Sequence, residues 1–569
     1  MAATRPTTGT LGIVREAYSK WERRAPLTPT HVAKLVSQGA KVLVQPCDRR
    51  VFSNVEYEKA GAALTSDLSG AAAIFGVKQV PNHELLPNRA YMFFSHTIKA
   101  QPENMELLDA VRNQQIRLFD YECITEGGER GALRTVAFGS FAGKAGMIGG
   151  LRGLGERALN LGYHTPFLST GSAYMYPELG AAEEAVRAVG EGIASAGLPQ
   201  ALAPFNVIFT GSGAASQGAQ DIFKLMPHTM VEPHELANLP ADPHQLFGCV
   251  VETGDMVERD SDASLPHDFS HYIANPHDYS PAFHKTIAPH ASAVVHCSYW
   301  EPKYPRLLTK DQLIDLRASG NKKLLGVVDV SCDIGGAFEM LTHSTYPEAP
   351  YYVYDPAADA SSAGASGLQD GLLMCGVDIL PSELPREASA HFGDALLAGG
   401  FAEALANLDP SVAWAEARGS LPVELSEACI AADGALTERW EYIDEMRAAN
   451  ERNASAGSLA GVEVEGSTVI ELSGHLFDSG LLNGVLDLIE QQGANFAIVD
   501  MNVRPNAATA AHASTAHVQI SASGGRDGLE SLLSAVTELA VNTGGAEAGV
   551  LEKPDYCTGD YGMTTGEAL

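Results

Sequence analysis

The sequence is short of paired cysteines, of positive charge and of long apolar runs. Its eight cysteines stand far apart, at 47, 123, 249, 297, 332, 375, 429 and 557, with no C-x-x-C pair and no Cys/His group at zinc spacing. That scatter excludes a disulfide framework and a structural zinc site, so reduced thiols and no metal are expected. Lysine and arginine total 38 against 70 aspartates and glutamates, a formal charge of −32. Such a field repels phosphate backbones, and nucleic acid is excluded as a partner. No apolar run approaches the roughly 20 residues that cross a bilayer, which argues for a soluble protein without a membrane partner. The first ten residues lack an apolar signal core and give way to the strand-like Leu11–Val14, so a cytoplasmic location is expected.

What the sequence does have is ordinary globular material, 569 residues that are 45% hydrophobic and 19% charged. A chain of this length outgrows a single core, and several domains are expected. Over residues 11–137, apolar runs at Lys41–Val44, Ala72–Val77, Tyr91–Phe94 and Ile116–Phe119 alternate with helical stretches. That alternation predicts βαβ units and a parallel sheet. Helical patterns at about 141–161 and 180–196 read as connecting helices, and 255–290, rich in Asp, His and Pro, reads as an insertion or long loop.

The buried-strand run Asn206–Thr210 leads into Gly211, Ser212, Gly213 and Ala214, and then into a helical stretch. Strand, glycine loop and helix in that order predict a dinucleotide site: Gly211 permits a tight turn, Gly213 admits a pyrophosphate, and the helix start supplies amide donors. The third glycine, Gly218, comes two positions later than in the usual fingerprint. Glu232 ends the next strand about twenty residues on, where an acidic side chain usually holds the ribose of NAD.

Near the amino terminus, Arg24 lies in R-A-P-L-T-P, while Lys78 and His96 each follow an apolar strand-like run. Arg24 suits a bidentate grip on a carboxylate, and Lys78 and His96 suit proton exchange with an amine. Glu122 follows another strand, and Arg134 precedes V-A-F-G. A carboxylate close to Lys78 would hold its ammonium charged. Read singly, each is as well explained by a surface charge or a satisfied histidine.

Taken together these residues resemble the alanine dehydrogenase and saccharopine dehydrogenase superfamily. Y-H-T-P-F-L-S-T-G (163–171), V-I-F-T-G-S-G-A-A-S-Q-G-A-Q (207–220), H-T-M-V-E-P-H-E-L (228–236), Y-W-E-P-K-Y-P-R-L-L-T (299–309), V-V-D-V-S-C-D-I-G-G (327–336) and L-P-S-E-L-P-R-E-A-S (380–389) narrow the likeness to the lysine-ketoglutarate reductases. It covers roughly residues 10–450. A compact pattern in 462–541, with L-S-G-H-L-F-D at 472–478, is similar to the small domain between the two enzymes of plant-type bifunctional chains. The second enzyme of those chains has no counterpart in this sequence, so a separate saccharopine dehydrogenase and a homo-oligomer are both allowed for as partners.

The resemblance implies Lys78 and His96 as the acid–base pair, with Arg24, Gln101, Arg134, Phe138 and Tyr299 on the substrate and Glu122 tuning the lysine. It places Gly211, Ser212, Gly213, Ala214, Gly218, Glu232, Asp329, Val330 and Ser331 on the nucleotide. It further implies L-lysine and 2-oxoglutarate as substrates and NADPH as reductant, whereas Glu232 on its own favours NAD. The expected fold is α/β, with two Rossmann-like doubly wound domains around an interdomain cleft and a small C-terminal α+β domain. The expected segments are a catalytic domain at 10–137 completed by about 375–450, a dinucleotide domain at 138–374, a linker at 451–461, the small domain at 462–541 and a flexible tail at 542–569. Alternatives stay open in an NAD-dependent lysine-forming saccharopine dehydrogenase, an alanine dehydrogenase-like enzyme, and a catalytically silent lysine or nucleotide sensor.

Overall fold

Val207, Ile208 and Phe209 are buried on both faces of their strand, and Ala293–His296, Gly326–Asp329 and Leu372–Cys375 are likewise buried throughout. Apolar runs that never alternate toward solvent form parallel sheets covered on both faces. The structure, a computed structural model, describes residues 9–261, 267–364 and 370–458, and beyond them 467–474, 484–486, 488–489, 492, 494–502, 514–521, 529, 531–537, 539 and 549–552. The chain divides into two units, Met1–Met446 and Arg447–Leu569.

The first unit opens with β1 (Thr10–Ile13), β2 (Lys41–Val44), β3 (Ala63–Leu64), β4 (Ala73–Phe75), β5 (Ala90–Met92) and β6 (Arg117–Phe119). The chain then crosses on the helices Gly139–Asn160 and Leu179–Ala196. Next come β7 (Phe205–Thr210), β8 (His228–Val231) and β9 (Leu246–Val251), then a two-stranded ribbon of β10 (Val257–Arg259) and β11 (Tyr279–Pro281). The same sheet resumes with β12 (Ala293–His296), β13 (Gly326–Asp329), β14 (Tyr352–Asp355), β15 (Ala360–Ala363) and β16 (Leu372–Cys375). Finally β17 (Cys429–Ala432) and β18 (Ala435–Leu436) return to the first sheet.

The first sheet runs β18-β17-β6-β5-β4-β1-β2-β3 and the second β15-β14-β16-β13-β12-β7-β9-β8. Both are parallel at the centre and finish in antiparallel strands at one edge. One hydrophobic cluster surrounds the first sheet and includes Phe392, Leu396 and Leu405 from the helices that follow β16; two others cover the faces of the second. These are two Rossmann-like α/β layers within one unit.

Two helices pack backbone to backbone and so fix the glycine loop. A Cβ on Gly143 would lie 1.8 Å from the Ala215 carbonyl oxygen, and one on Gly218 would lie 2.1 Å from that of Ser140. Gly218 therefore admits the crossover helix Gly139–Asn160 against the helix Ala214–Phe223, and the nucleotide role expected of it is corrected to packing.

The second unit carries β19 (Ser467–Gly474), β20 (Asn495–Asn502), β21 (Ser514–Ser521) and β22 (Gly549–Glu552) in an antiparallel sheet ordered β20-β21-β19-β22. Ile470, Leu472, Val485, Ile489, Val518, Ile520, Leu532 and Val536 are its core. Two expectations fail at its borders. Residues 451–458, read as linker, continue the helix Tyr442–Ser458, because Ala, Glu and Arg are strong helix formers whatever their small or polar character suggests. Gly549–Glu552, read as tail, pairs with β19; residues 459–461, 542–548 and 553–569 lie outside the described residues.

Candidate active site

Lys78, His96 and Glu122 follow β4, β5 and β6, three neighbouring parallel strands, so each projects from a carboxyl end of the first sheet. Arg24 joins them because Thr28 caps the helix Pro29–Ser37, with Pro29 at its first position. A cap and an N1 proline fix where that helix starts, and with it the loop carrying Arg24. These side chains, with Arg134, Phe138 and Phe94, line a 330 Å³ cavity whose opposite wall is Val330 and residues 377–381, beyond β13 and β16 of the second sheet. The cleft between the two sheets thus gathers most of the expected substrate and acid–base residues.

Its charges form two groups. In the first, Arg24 is 3% exposed, donates through Nε and Nη2 to Glu22 at 2.8 and 2.6 Å, and lies 4.3 Å from the Phe138 ring centre. Burial pushes the Glu22 carboxyl up, but the charge and hydrogen bonds of Arg24 outweigh it and hold Glu22 below its ordinary range. Behind them Glu16 accepts the backbone N–H groups of Val77 and Lys78 at 2.6 and 3.1 Å. Burial, then the charge of Glu22, raises Glu16 to about 7. Lys78 is itself pushed down, first by burial and then by Arg24, with Asp378, Glu22 and Glu16 partly opposing. An amine in that setting gives up its proton more readily than one in water.

In the second group, Glu122 accepts from Arg134 Nη2 at 2.6 Å and lies 3.7 Å from His96 Nδ1. His96 foremost, with Arg134, holds the Glu122 carboxyl down at about 2 against its burial. His96 itself has a left-handed backbone, φ 56°, and its ring stacks on Phe94. The partner of Glu122 is therefore the histidine and not the lysine, a correction: the carboxylates acting on Lys78 are Asp378, Glu22 and Glu16. Gln101 is exposed at the start of the helix Pro102–Asn113 and does not line the cleft.

A second cavity, of 290 Å³, lies where β7 and β12 end; Gly211, Gly213, Thr253, His296, Ser298 and Tyr299 are among its walls. Tyr299, 68% exposed, thus stands with the glycine loop and apart from the substrate cleft expected for it. Gly211 turns at φ 73°, its N–H donating 2.8 Å to Val251 O, and Gly213 caps the helix begun by Ala214. Ser212 is exposed between them. Among the described residues, three buried polar atoms at this end of the sheet find no partner: His296 Nε2, Ser298 Oγ and Asp329 Oδ2. Burial lowers His296 to about 3 and raises Asp329 to about 7. Orphaned buried donors and acceptors around a glycine turn fit a polar ligand that completes them. Ser331 Oγ donates to the carbonyl of Ser298, a wall residue of that cavity, at 2.7 Å, while Val330 lines the substrate cleft.

Glu232 is displaced from its expected position. In the sheet, β9 pairs with β7 and β8 lies beyond it, so the end of β8 is two strand spacings, about 10 Å, from the glycine loop. The exposed Glu232 closes onto its own turn, its N–H donating to Glu235. Glu252, which follows β9, stands next to the loop instead. Sequence reading passed over Glu252, His296, Ser298, Asp378 and Glu16. Only His296, a polar residue closing the strand-like run from Ala293, left a signal of its own.

The first unit is Rossmann-type, with a titratable cleft between its two sheets, and comparison with known proteins sharpens the class. Residues 12–145 match the model of the alanine dehydrogenase/PNT N-terminal domain, and residues 467–555 that of the LOR/SDH bifunctional enzyme conserved region. The chain is 43% identical over 510 residues to the alpha-aminoadipic semialdehyde synthase of Arabidopsis thaliana, covering 86% of this chain and 46% of that protein. It is 39% identical over 474 residues to the mitochondrial alpha-aminoadipic semialdehyde synthase of Bos taurus, covering 80% and 50%. A saccharopine dehydrogenase [NAD(+), L-lysine-forming] of Neurospora crassa is more distant, 27% identical over 387 residues, covering 66% of this chain and 86% of that protein. Among solved structures, an L-alanine dehydrogenase aligns at 15% identity with a TM-score of 0.48 over 77% of this chain and 98% of that one. By sequence the chain is similar to the alpha-aminoadipic semialdehyde synthases, and it spans about half the length of the curated relatives it matches.

Proposed function

We propose that the chain is a lysine-ketoglutarate reductase, joining L-lysine to 2-oxoglutarate and reducing the resulting imine with NADPH to give saccharopine. The observation that carries this reading is the cleft, where a desolvated lysine, a histidine–carboxylate–arginine group and a buried arginine–carboxylate pair face the second sheet. Relatives named alpha-aminoadipic semialdehyde synthase support it.

The ε-amine of lysine is mostly protonated near neutral pH and must lose a proton before it attacks a keto carbon. Lys78, its pKa lowered by burial, takes that proton at Nζ. His96, braced by Glu122, delivers a proton to the carbinolamine oxygen as water leaves. Arg24 and Arg134 orient the substrate carboxylates, and holding two substrates in register supplies much of the rate of a condensation. Gly211, Gly213, His296, Ser298 and Asp329 would hold the nicotinamide nucleotide, which supplies hydride when bound.

The test is loss of reduced-nicotinamide absorbance with both substrates, with each omitted, and with NADH in parallel. Oxidation that needs both substrates and runs faster with NADPH supports the reading, while none with either nucleotide overturns it and favours a silent binding protein. Preference for NADH is the second reading, and Glu252 beside the glycine loop favours it, since a carboxylate there repels a 2′-phosphate. We propose a cytoplasmic location; fractionation of cells decides between this and the mitochondrial location printed in the names of the mammalian relatives.

A further inference from the structure

A cavity of 430 Å³ in the first unit is neither the cleft nor the nucleotide cavity. Phe205, Ser292, Leu325 and Gly371 stand on its wall, the residues that open or immediately precede β7, β12, β13 and β16. It therefore lies at the amino-terminal edge of the second sheet, the end opposite the glycine loop. In a chain of net charge −32, its walls carry Arg157, Arg317, Lys322 and Lys323.

Part of this charge is structural. Arg157 donates to Gly371 O at 2.8 Å, and Arg317 donates to the carbonyls of Asp370, Asn321 and Leu324 at 3.0, 3.2 and 2.7 Å. Those bonds tie the strand starts together but use carbonyl dipoles, which leave the positive charges in place. Among the described residues, the carboxylate paired with Arg317, Lys322 or Lys323 is Asp370, held by Lys322 at 2.5 Å. Lys323 makes no ion pair among the described residues, and burial depresses its ammonium. Arg317 is likewise pushed down to about 10, chiefly by burial. Neighbouring, partly desolvated cations such as Arg317 and Lys323 are stabilised by an anion that enters beside them.

We propose that this cavity is a second ligand site, taking a small molecule with two clustered negative charges, a phosphate monoester or a short dicarboxylate, at Lys322, Lys323 and the polar wall of Ser292 and Tyr163. Its volume suits a metabolite-sized ligand. The site lies at the far edge of the sheet from the cleft and is independent of the reaction proposed there.

The test uses the full chain and follows its melting temperature against inorganic phosphate and against succinate, with sodium chloride matched for ionic strength. The expected result is a saturable rise of about 2 °C or more with at least one anion, lost in Lys323→Gln and reduced in Lys322→Ala while their circular dichroism stays that of wild type. Phosphate acting alone identifies the phosphoester class, and succinate acting alone the dicarboxylate class. A shift no larger than that of sodium chloride, or one that Lys323→Gln keeps in full, overturns the proposal.

Discussion

Lys78 reaches the cleft with its ammonium disfavoured by burial and by Arg24, a shift in the direction that suits the general base proposed for it. Lys78→Met is expected to lower turnover by about 10²- to 10⁴-fold while fluorescence titration shows unchanged nucleotide binding; wild-type turnover would remove Lys78 from the mechanism. His96→Gln should cost a similar factor in the same assay. Glu122 makes a separate prediction about stability. Its folded pKa is held down at about 2, below the ordinary glutamate value, so the group stabilises the fold above the unfolded pKa, and that stability is lost as pH falls toward 2. Melting temperatures measured between about pH 6 and pH 3 should therefore fall less for Glu122→Gln than for wild type, starting from a lower value at neutral pH.

The helix Gly139–Asn160 decides more than its weak sequence pattern suggests. Gly143 and Gly218 let it touch the helix Ala214–Phe223 backbone to backbone, which sets the glycine loop against the crossover. Adding a methyl group there forces the helices apart, and Gly143→Ala or Gly218→Ala is expected to cost about 3 kcal/mol, read as a lower urea midpoint with unchanged slope. Strand order makes the other prediction at this scale. Because β9 lies beside β7, Glu252→Ala should move the ratio of kcat/KM values toward NADPH by about tenfold, or about 1.4 kcal/mol, whereas Glu232→Ala should leave it unchanged. The reverse pattern would restore the acidic residue of β8 to the ribose.

Every residue lining the cleft and the nucleotide cavity lies within Met1–Met446. A chain ended after Ser458, which keeps the helix from Tyr442 whole, is expected to retain turnover, and loss of activity in such a truncation would give the second unit a catalytic part. At this scale the sequence by itself determined the α/β class, the buried parallel strands and the strand-end positions of Lys78, His96 and Glu122, because continuous apolar runs and the residues that end them are local features. It also marked the glycine turn, since φ 73° at Gly211 is a backbone angle that glycine adopts at least cost. Only the tertiary structure decided which charges meet. Glu122 turned to His96 and Arg134, Asp378 came to Lys78 from three hundred residues away, and β9 slid between β7 and β8 to exchange Glu232 for Glu252. Strand order and the pairing of side chains are set by how helices and sheets cover one another, and no local pattern in the chain encodes that choice.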